Sequence, residues 1–468
     1  MTLRAVPRRF TPGEHPREPA IAARVGKLTP TRLSGWGRYP VVEAREVLSE
    51  DLERITHDVV LTRGLGRSYG DASLPPSSGH RVAGSILADR VLAFDPATGI
   101  VRAEAGCPLW RLNRLFLPRG FFTPVTPGTH YVTLGGMVAA DVHGKSHHRD
   151  GSFGAHVTRL KLRVADGRVL ECSDEEQRHL FRATLGGMGL TGHVLEVEFR
   201  LRRIPTPWIW QESERTPDLE ATLDRLRASS REWPMTVCWA DCLVTGPHAG
   251  RGLVIRGRWA APDEAPATVP VFRRTVSLPP VFPSWFLQPW MVRAFNALNY
   301  AWHGPNVRRS VVHPENFFYP LDALRDWNRV YGPRGFTQYQ CVLPSAGDPS
   351  RQRRFLSRLQ DLRAPVFLCV IKDCGDEGKG MLSFPKPGVS YALDLPISAS
   401  TQRLIDALNE FVVAEGGRVY LAKDAFTRAA HWRAMEPRLE AWNRVRRQWD
   451  PDGTLRSAQS VRLFGDAP

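Results

Sequence analysis

The chain has 468 residues, enough for two or three domains with ample core, which excludes a small scaffold held together by disulfides. Hydrophobic residues make up 42% and charged residues 24%, the balance of a folded globular chain rather than a disordered or fibrous one. Lys and Arg number 63 against 48 Asp and Glu, a formal charge of +15, but no basic run marks a nucleic-acid arm, so nucleic acid is not an expected partner. Only seven of the 63 are Lys (27, 145, 161, 372, 379, 386 and 423), so a position that keeps the amine is informative. The seven cysteines are scattered without CxxC spacing, which favours a reducing compartment.

Met1 to Arg24 is polar, basic and proline-containing, with no apolar run to serve as a secretory signal. From about Asp58 to Leu201, short runs of period two alternate with glycine-rich turns (DVVLTRG, VLAFDPATG, IVRAEAG, HVTRLKLRVADGRVLECS, TGHVLEVEFRL), which predicts strands and hairpins. LWRLNRLFLPRG, residues 109 to 120, has helical spacing and a glycine stop. Beyond Pro205, TVCWADCLV and GRGLVIRGRWA open a second sheet. FTQYQCVLP, VFLCVIKDC and VSYALDLPI continue it between helical stretches such as DLEATLDRLRASSREW and TQRLIDALNEFVVAEGG. The expected class is α+β. The last segment, from GGRVYLAKD onward, ends in a helical, Arg- and Trp-rich stretch expected to return to the first domain.

One segment approaches membrane character. Val276 to His303 holds three Trp and four Phe or Tyr, has Arg293 as its only charged residue, and is bracketed by Arg273-Arg274 and Arg308-Arg309. Its prolines rule out a clean transmembrane helix, while aromatic residues bracketed by Arg suit the headgroup interface. A buried excursion or a subunit contact is the alternative. The expected location is therefore cytoplasmic or peripherally membrane-associated.

Three glycine-rich motifs carry the chemistry. RGLGRSYGD (63 to 71) has three glycines in seven residues, whose backbone N–H groups can form a nest for a pyrophosphate, or simply a hairpin. It is not a Rossmann fingerprint, because the loop-like SLPPSSGH follows it. VTPGTHYVTLGGMVAADVHGKSHHRDGSFGAHV (125 to 157) is dense in glycine and small residues, the texture of backbone packed against something flat or charged. His143 and His147 have helical spacing, but Gly144 lies between them and no HExxH glutamate accompanies them, so no metal is expected. ATLGGMGLTGHVLEVEFRL (183 to 201) is a third such turn feeding a strand.

In this order, with NFFYPLDALRDWNRVYGPRGFTQYQCVLP, LSFPKPG and GGRVYLAKD downstream, the motifs resemble the vanillyl-alcohol oxidase (p-cresol methylhydroxylase, PCMH-type) FAD-binding family from about residue 30 to 465. The resemblance implies an FAD-binding PCMH-type domain over 17–206, a substrate-binding domain on an antiparallel sheet over 207–415, and a C-terminal return over 416–468. It further implies that Gly64, Leu65, Gly66, Arg67, Ser68 and Tyr69 form the first pyrophosphate loop. Gly128, Thr133, Leu134, Gly135, Gly136, Ala140, Asp141, Val142 and His143 would line the phosphates and the isoalloxazine, with Val194 on the adenine side and Tyr420 against the flavin. Relatives that attach FAD covalently do so through a first-loop His; Arg67 stands there in this chain, which implies non-covalent FAD.

On the substrate side, the resemblance points to Lys145, Gln340, Lys372 and Lys423 around a sugar, with His143 at the flavin face and Tyr319 and Trp239 as pocket walls. Ala392 occupies the place where close relatives carry a cysteine. The implied activity is oxidation of a secondary sugar hydroxyl, on a lipid-linked sugar phosphate of the decaprenylphosphoryl-ribose type, in cell-wall arabinan precursor synthesis. A nicotinamide-dependent short-chain reductase would be the partner that completes an epimerisation. A soluble alditol or aldonolactone oxidase, or a flavin-binding scaffold without turnover, is the alternative.

Overall fold

The computed structural model describes residues 30–272, 275–279, 287–348 and 350–468. The N-terminal 29 residues, Arg273-Arg274, and Trp285 and Phe286 of the aromatic segment lie outside them.

Two small sheets build the first part. One has the order Pro30–Ser34, Val41–Leu48, Arg81–Gly84, Thr62–Arg63, antiparallel at its first pair and parallel at the other two. The other is antiparallel throughout, in the order Val91–Asp95, Ile100–Glu104, His193–Arg200, Val157–Arg163, Val169–Ser173. The helix Leu109–Phe116 buries Leu109, Leu112 and Phe116 in a core shared with Val101, Val197 and Phe199 of the second sheet, as its spacing predicts. The strand expected over DVVLT shrinks to Thr62–Arg63. Asp58, at φ 57°, turns the chain out of the preceding helix Leu52–Ile55, so extended pairing begins only after it.

Beyond residue 206 an eight-stranded antiparallel sheet takes over. Its order is Arg308–Val312, Ile209–Thr216, Gly252–Trp259, Met235–Ala240, Leu368–Cys374, Gly388–Pro396, Phe336–Pro344, Arg418–Val419. Helices Leu219–Glu232, Arg351–Asp361 and Thr401–Ala414 supply Leu223, Phe355 and Leu408 to a second core together with Cys238, Tyr339, Cys341, Cys369, Ile371, Tyr391 and Leu393. Successive strand residues point to opposite faces, so the alternate set, Gln338, Gln340, Leu368, Val370, Lys372 and Ala392, faces away from those helices and into a cavity. A one-residue slip in any of these strands would exchange the two sets.

The end of the chain touches both parts. Arg418–Val419 closes one edge of the large sheet, whereas Arg456 N donates to Val60 O at 3.0 Å and Ala458 N to Leu74 O at 2.9 Å. Arg462 then pairs with Asp71 and with Asp424, each at 2.8 Å, tying the end of the first glycine loop to the residue after Lys423. Among the described residues no helix is long and apolar enough to cross a membrane. All seven cysteines are buried and free.

Candidate functional site

A cavity of about 290 Å³ lies between the two small sheets and the helix-free face of the large one. One end is made of backbone. Gly64 to Tyr69 line it, with Gly128, Thr133, Gly135, Gly136, Ala140, Val142 and Val194. Gly66 has φ +64°, and a Cβ there would meet the guanidinium of Arg63 at 2.2 Å. That guanidinium is fixed, because Arg63 is buried and donates to Ser34 O at 2.7 Å and to Ser73 O at 3.0 Å. A side chain at Gly70 would meet Asp424 O at 1.9 Å. Both positions therefore need glycine. The loop is further held by Trp36, whose N–H donates to Ser68 O at 2.7 Å and whose ring lies 3.9 Å from the Arg67 guanidinium carbon. Arg67 is thus stacked on an aromatic face beside the cavity.

Side chains make the other end. Gln340 Nε2 donates to His143 Nε2 at 2.9 Å and lies 3.2 Å from Ser390 Oγ. That leaves the imidazole proton on Nδ1, a buried atom without a hydrogen-bond partner among the described residues. Burial first, then the charges of Lys372, His147 and Lys423 in that order, hold His143 far below its usual range, so its ring is neutral. Tyr420 stands 4.9 Å from the His143 ring centroid and donates its hydroxyl to Ala140 O at 2.9 Å.

Lys423 Nζ lies 3.7 Å from the centroid of the Tyr69 ring. Burial brings its ammonium down to about 7; Asp394 pulls against that fall and Lys372 adds to it. Asp394, fully buried, accepts from Gln338 Nε2 at 2.6 Å and from Tyr331 OH at 3.0 Å, and burial raises its carboxyl to about 6. Burial likewise lowers Lys372. Two lysines that titrate low, one neutral imidazole and one carboxylate thus share a desolvated floor, a combination suited to proton transfer from a bound hydroxyl.

Most sequence-predicted residues are brought together here, but five are not. Leu134 is core. Asp141 is fully buried, accepting from Gly154 N at 2.7 Å and from Ser383 Oγ, so it braces the second glycine motif from behind. Lys145 donates to Phe318 O at 3.0 Å and stands over the Phe317 ring instead of lining the cavity, and burial lowers it to about 7. Tyr319 is buried against Thr126 and Asn113 as core, and Trp239 does not reach the cavity. His147 and His148 are tied separately, to Gly375 N at 3.2 Å and to Trp233 O at 2.9 Å.

Sequence reasoning missed Trp36, Gln338, Asp322, Asp394 and Trp327. Gln338 and Asp394 carry a signal: each stands two residues along a strand from a named position, hence on the same face. Asp322 lines the mouth, accepting from His130 N at 2.8 Å and Thr129 Oγ1 at 3.0 Å, and burial raises it to about 6. Trp36 reaches the loop only through tertiary folding, which no local pattern reports.

The FAD binding domain family matches residues 53–173. The chain is 34% identical over 456 residues, 93% of its own length and 98% of the relative's, to decaprenylphosphoryl-beta-D-ribose oxidase of Mycolicibacterium smegmatis. It is 33% identical over 366 residues, 76% of its length and 99% of the relative's, to an uncharacterized protein of Streptomyces coelicolor. A putative D-arabinono-1,4-lactone oxidase of Neurospora crassa matches at 33% over 112 residues, 24% of this chain and 20% of that protein. The cavity suits the cofactor that this family binds. Gly64, Gly66, Gly128, Gly135 and Gly136 present backbone to it, and the buried His143 Nδ1 has no hydrogen-bond partner among the described residues. From the near full-length match and this cavity together, the chain belongs to the PCMH-type FAD-binding family of oxidoreductases, and it is an FAD-dependent enzyme acting on CH–OH groups.

Proposed function

We propose that the chain oxidises a secondary hydroxyl of a lipid-linked ribosyl phosphate to the 2-keto sugar. The observation that carries this reading is the floor described above: Lys423 and Lys372, both desolvated, beside Gln340 and the neutral His143. The relative named for decaprenylphosphoryl-ribose supports the substrate class, since it aligns over both the glycine loops and this floor. In this reading residues 17–206 hold the cofactor, 207–415 supply the substrate floor, and 416–468 return to the cofactor part.

FAD, when bound, supplies the hydride acceptor for converting the alcohol carbon to a ketone. The glycine loops at 64–70 and 128–136 would hold its pyrophosphate and ring, with Tyr420 and His143 alongside. Lys423 Nζ takes the hydroxyl proton as the amine, and the ammonium it becomes stays beside Asp394. Gln340 orients His143, and Lys372, two strands away, meets the phosphate of the substrate. Ala392 sits between Gln340 and Val370 on the floor, where a thiol would have no part in proton transfer. The cofactor is held non-covalently, since the Arg67 guanidinium cannot form a histidyl link. Acid precipitation is expected to release all the flavin into the supernatant, and a flavin band that stays with denatured protein on a gel would refute this.

A polyprenyl substrate places the enzyme at a membrane surface, and a keto product calls for a nicotinamide-dependent reductase to complete an epimerisation. The second reading, a soluble alditol or aldonolactone oxidase, is favoured by the 112-residue match alone, which covers only 24% of this chain. Anaerobic mixing separates them. Bleaching of the flavin by lipid-linked ribosyl phosphate supports the first reading. Bleaching only by free alditols or lactones supports the second, and no bleaching by either would leave a flavin-binding scaffold.

A further inference from the structure

The helix Pro289–Trp302 is mounted inside out. Its inner face is held by polar groups: Asn296 is buried and donates to Asp241 Oδ1 at 2.9 Å, and Tyr300 donates to Thr216 O at 3.3 Å. The Tyr300 ring also takes the guanidinium groups of Arg215 and Arg251, each 4.6 Å from its centroid. Val292 is the one apolar residue buried with them. At helical spacing from these, the outer face presents Trp290 (62% exposed), Phe295 (57%), Leu298 (71%) and Trp302 (78%), with Ala294, Ala297 and Ala301 between them. Folding alone does not explain four large apolar side chains left in water on one stripe.

Charge says what covers them. From residue 265 through residue 314 the sequence carries five Arg and no Asp or Glu, although acidic residues number 48 in the whole chain. Arg293 and Arg308 are exposed around the helix, and Arg309, also exposed, pairs with Glu212 at 2.9 Å. An aromatic stripe rimmed by Arg matches the interface of an anionic bilayer, where the rings enter the headgroup layer and the guanidinium groups meet phosphates.

The approach to the helix lies beside the cavity: Leu287, just ahead of it, packs against a cluster that includes Trp36 and Tyr69, both of which line the cavity. Val276–Ser277 pairs in parallel with Leu324–Arg325, and Arg329 Nη1 donates to Leu278 O at 2.7 Å. Leu321, Leu324 and Arg325 line the cavity, and both leucines are exposed.

We propose that the outer face of Pro289–Trp302 is a docking surface for anionic phospholipid, seating the mouth of the cavity on the bilayer. The surface deepens the membrane contact of the proposed function and rests on that reading for its purpose. Its test needs no substrate. Holoenzyme is sedimented with vesicles of mixed phosphatidylcholine and phosphatidylglycerol, and with phosphatidylcholine alone. The protein is expected to follow the mixed vesicles, less so in high salt and less with phosphatidylcholine alone. Combining Trp290→Ser, Leu298→Ser and Trp302→Ser should weaken vesicle binding by more than about tenfold while leaving FAD bound, because these side chains touch no core. Arg293→Glu should weaken binding to the mixed vesicles only. Absence of wild-type sedimentation, or equal sedimentation by the triple variant, overturns the proposal. A concentration-dependent dimer that the triple variant dissolves, without vesicle binding, assigns the face to a second copy and overturns it as well. If vesicles bind but lipid-linked ribose does not bleach the flavin, the substrate reading fails and this one stands.

Discussion

The two ends of the cavity are built on different principles. At the glycine end the chain offers main chain, and specificity lies in what is missing: Gly66 and Gly70 work because a Cβ would strike Arg63 or Asp424. At the floor of the large sheet, function lies in what projects, since Gln340, Lys372 and Lys423 are set by strand alternation and the turn after Val419. The contrast teaches that the first end should fail all at once, through cofactor loss, whereas the second should fail one chemical role at a time.

The largest effect is expected at the floor. Lys423→Ala should keep FAD but slow flavin reduction at saturating substrate by roughly two to four orders of magnitude, the range for losing a positioned proton acceptor. Anaerobic stopped-flow measurement reads this limiting rate directly. Gly66→Val should break the other end. The left-handed backbone costs a β-branched residue about 1–2 kcal/mol, and the clash with a buried guanidinium adds to that, so retained FAD should fall by at least about tenfold. Absorbance of the purified protein checks it, with circular dichroism to show that the fold persists.

A smaller and different effect is expected at Lys372. If it meets the substrate phosphate, Lys372→Ala should raise the half-saturation concentration by about tenfold and leave the limiting rate near wild type. A fallen limiting rate with unchanged half-saturation would move Lys372 into the proton-transfer step and blur the division of labour between the two lysines.

The same contrast explains what could be read from the sequence. The glycine end was legible as motif, because RGLGRSYGD and VTLGG are local, and steric demands on backbone write themselves as glycine. Its supports are not: Trp36 holds the loop from across the fold, and Arg63, although it opens the motif, is fixed by the carbonyl of Ser34, a partner that no local pattern reports. The floor was legible mainly through resemblance. Alternation in FTQYQCVLP and VSYALDLPI puts Gln338 and Asp394 on the same faces as Gln340 and Ala392. Lys145 shows the limit of motif reading. It stands two residues from His143, yet the chain turns its amine to Phe318 O and away from the cavity. Tyr319 fails for a similar reason, since an aromatic ring serves a core as readily as a wall, while the half-buried Trp239 simply stops short of the cavity.

The central claim is that burial tunes Lys423 to accept a proton near neutral pH. The direct test is the pH dependence of the limiting rate of anaerobic flavin reduction. Burial and Lys372 disfavour the ammonium, so below about 7 the amine is protonated and cannot accept, and above it the amine is free. The rate should therefore climb about tenfold per pH unit on the acid side and level off above about 7. Because Asp394 favours the ammonium, Asp394→Asn should move the inflection to lower pH, and Lys423→Ala should lose it. A limiting rate that is flat across neutral pH, or the wild-type profile persisting in Lys423→Ala, would contradict the account.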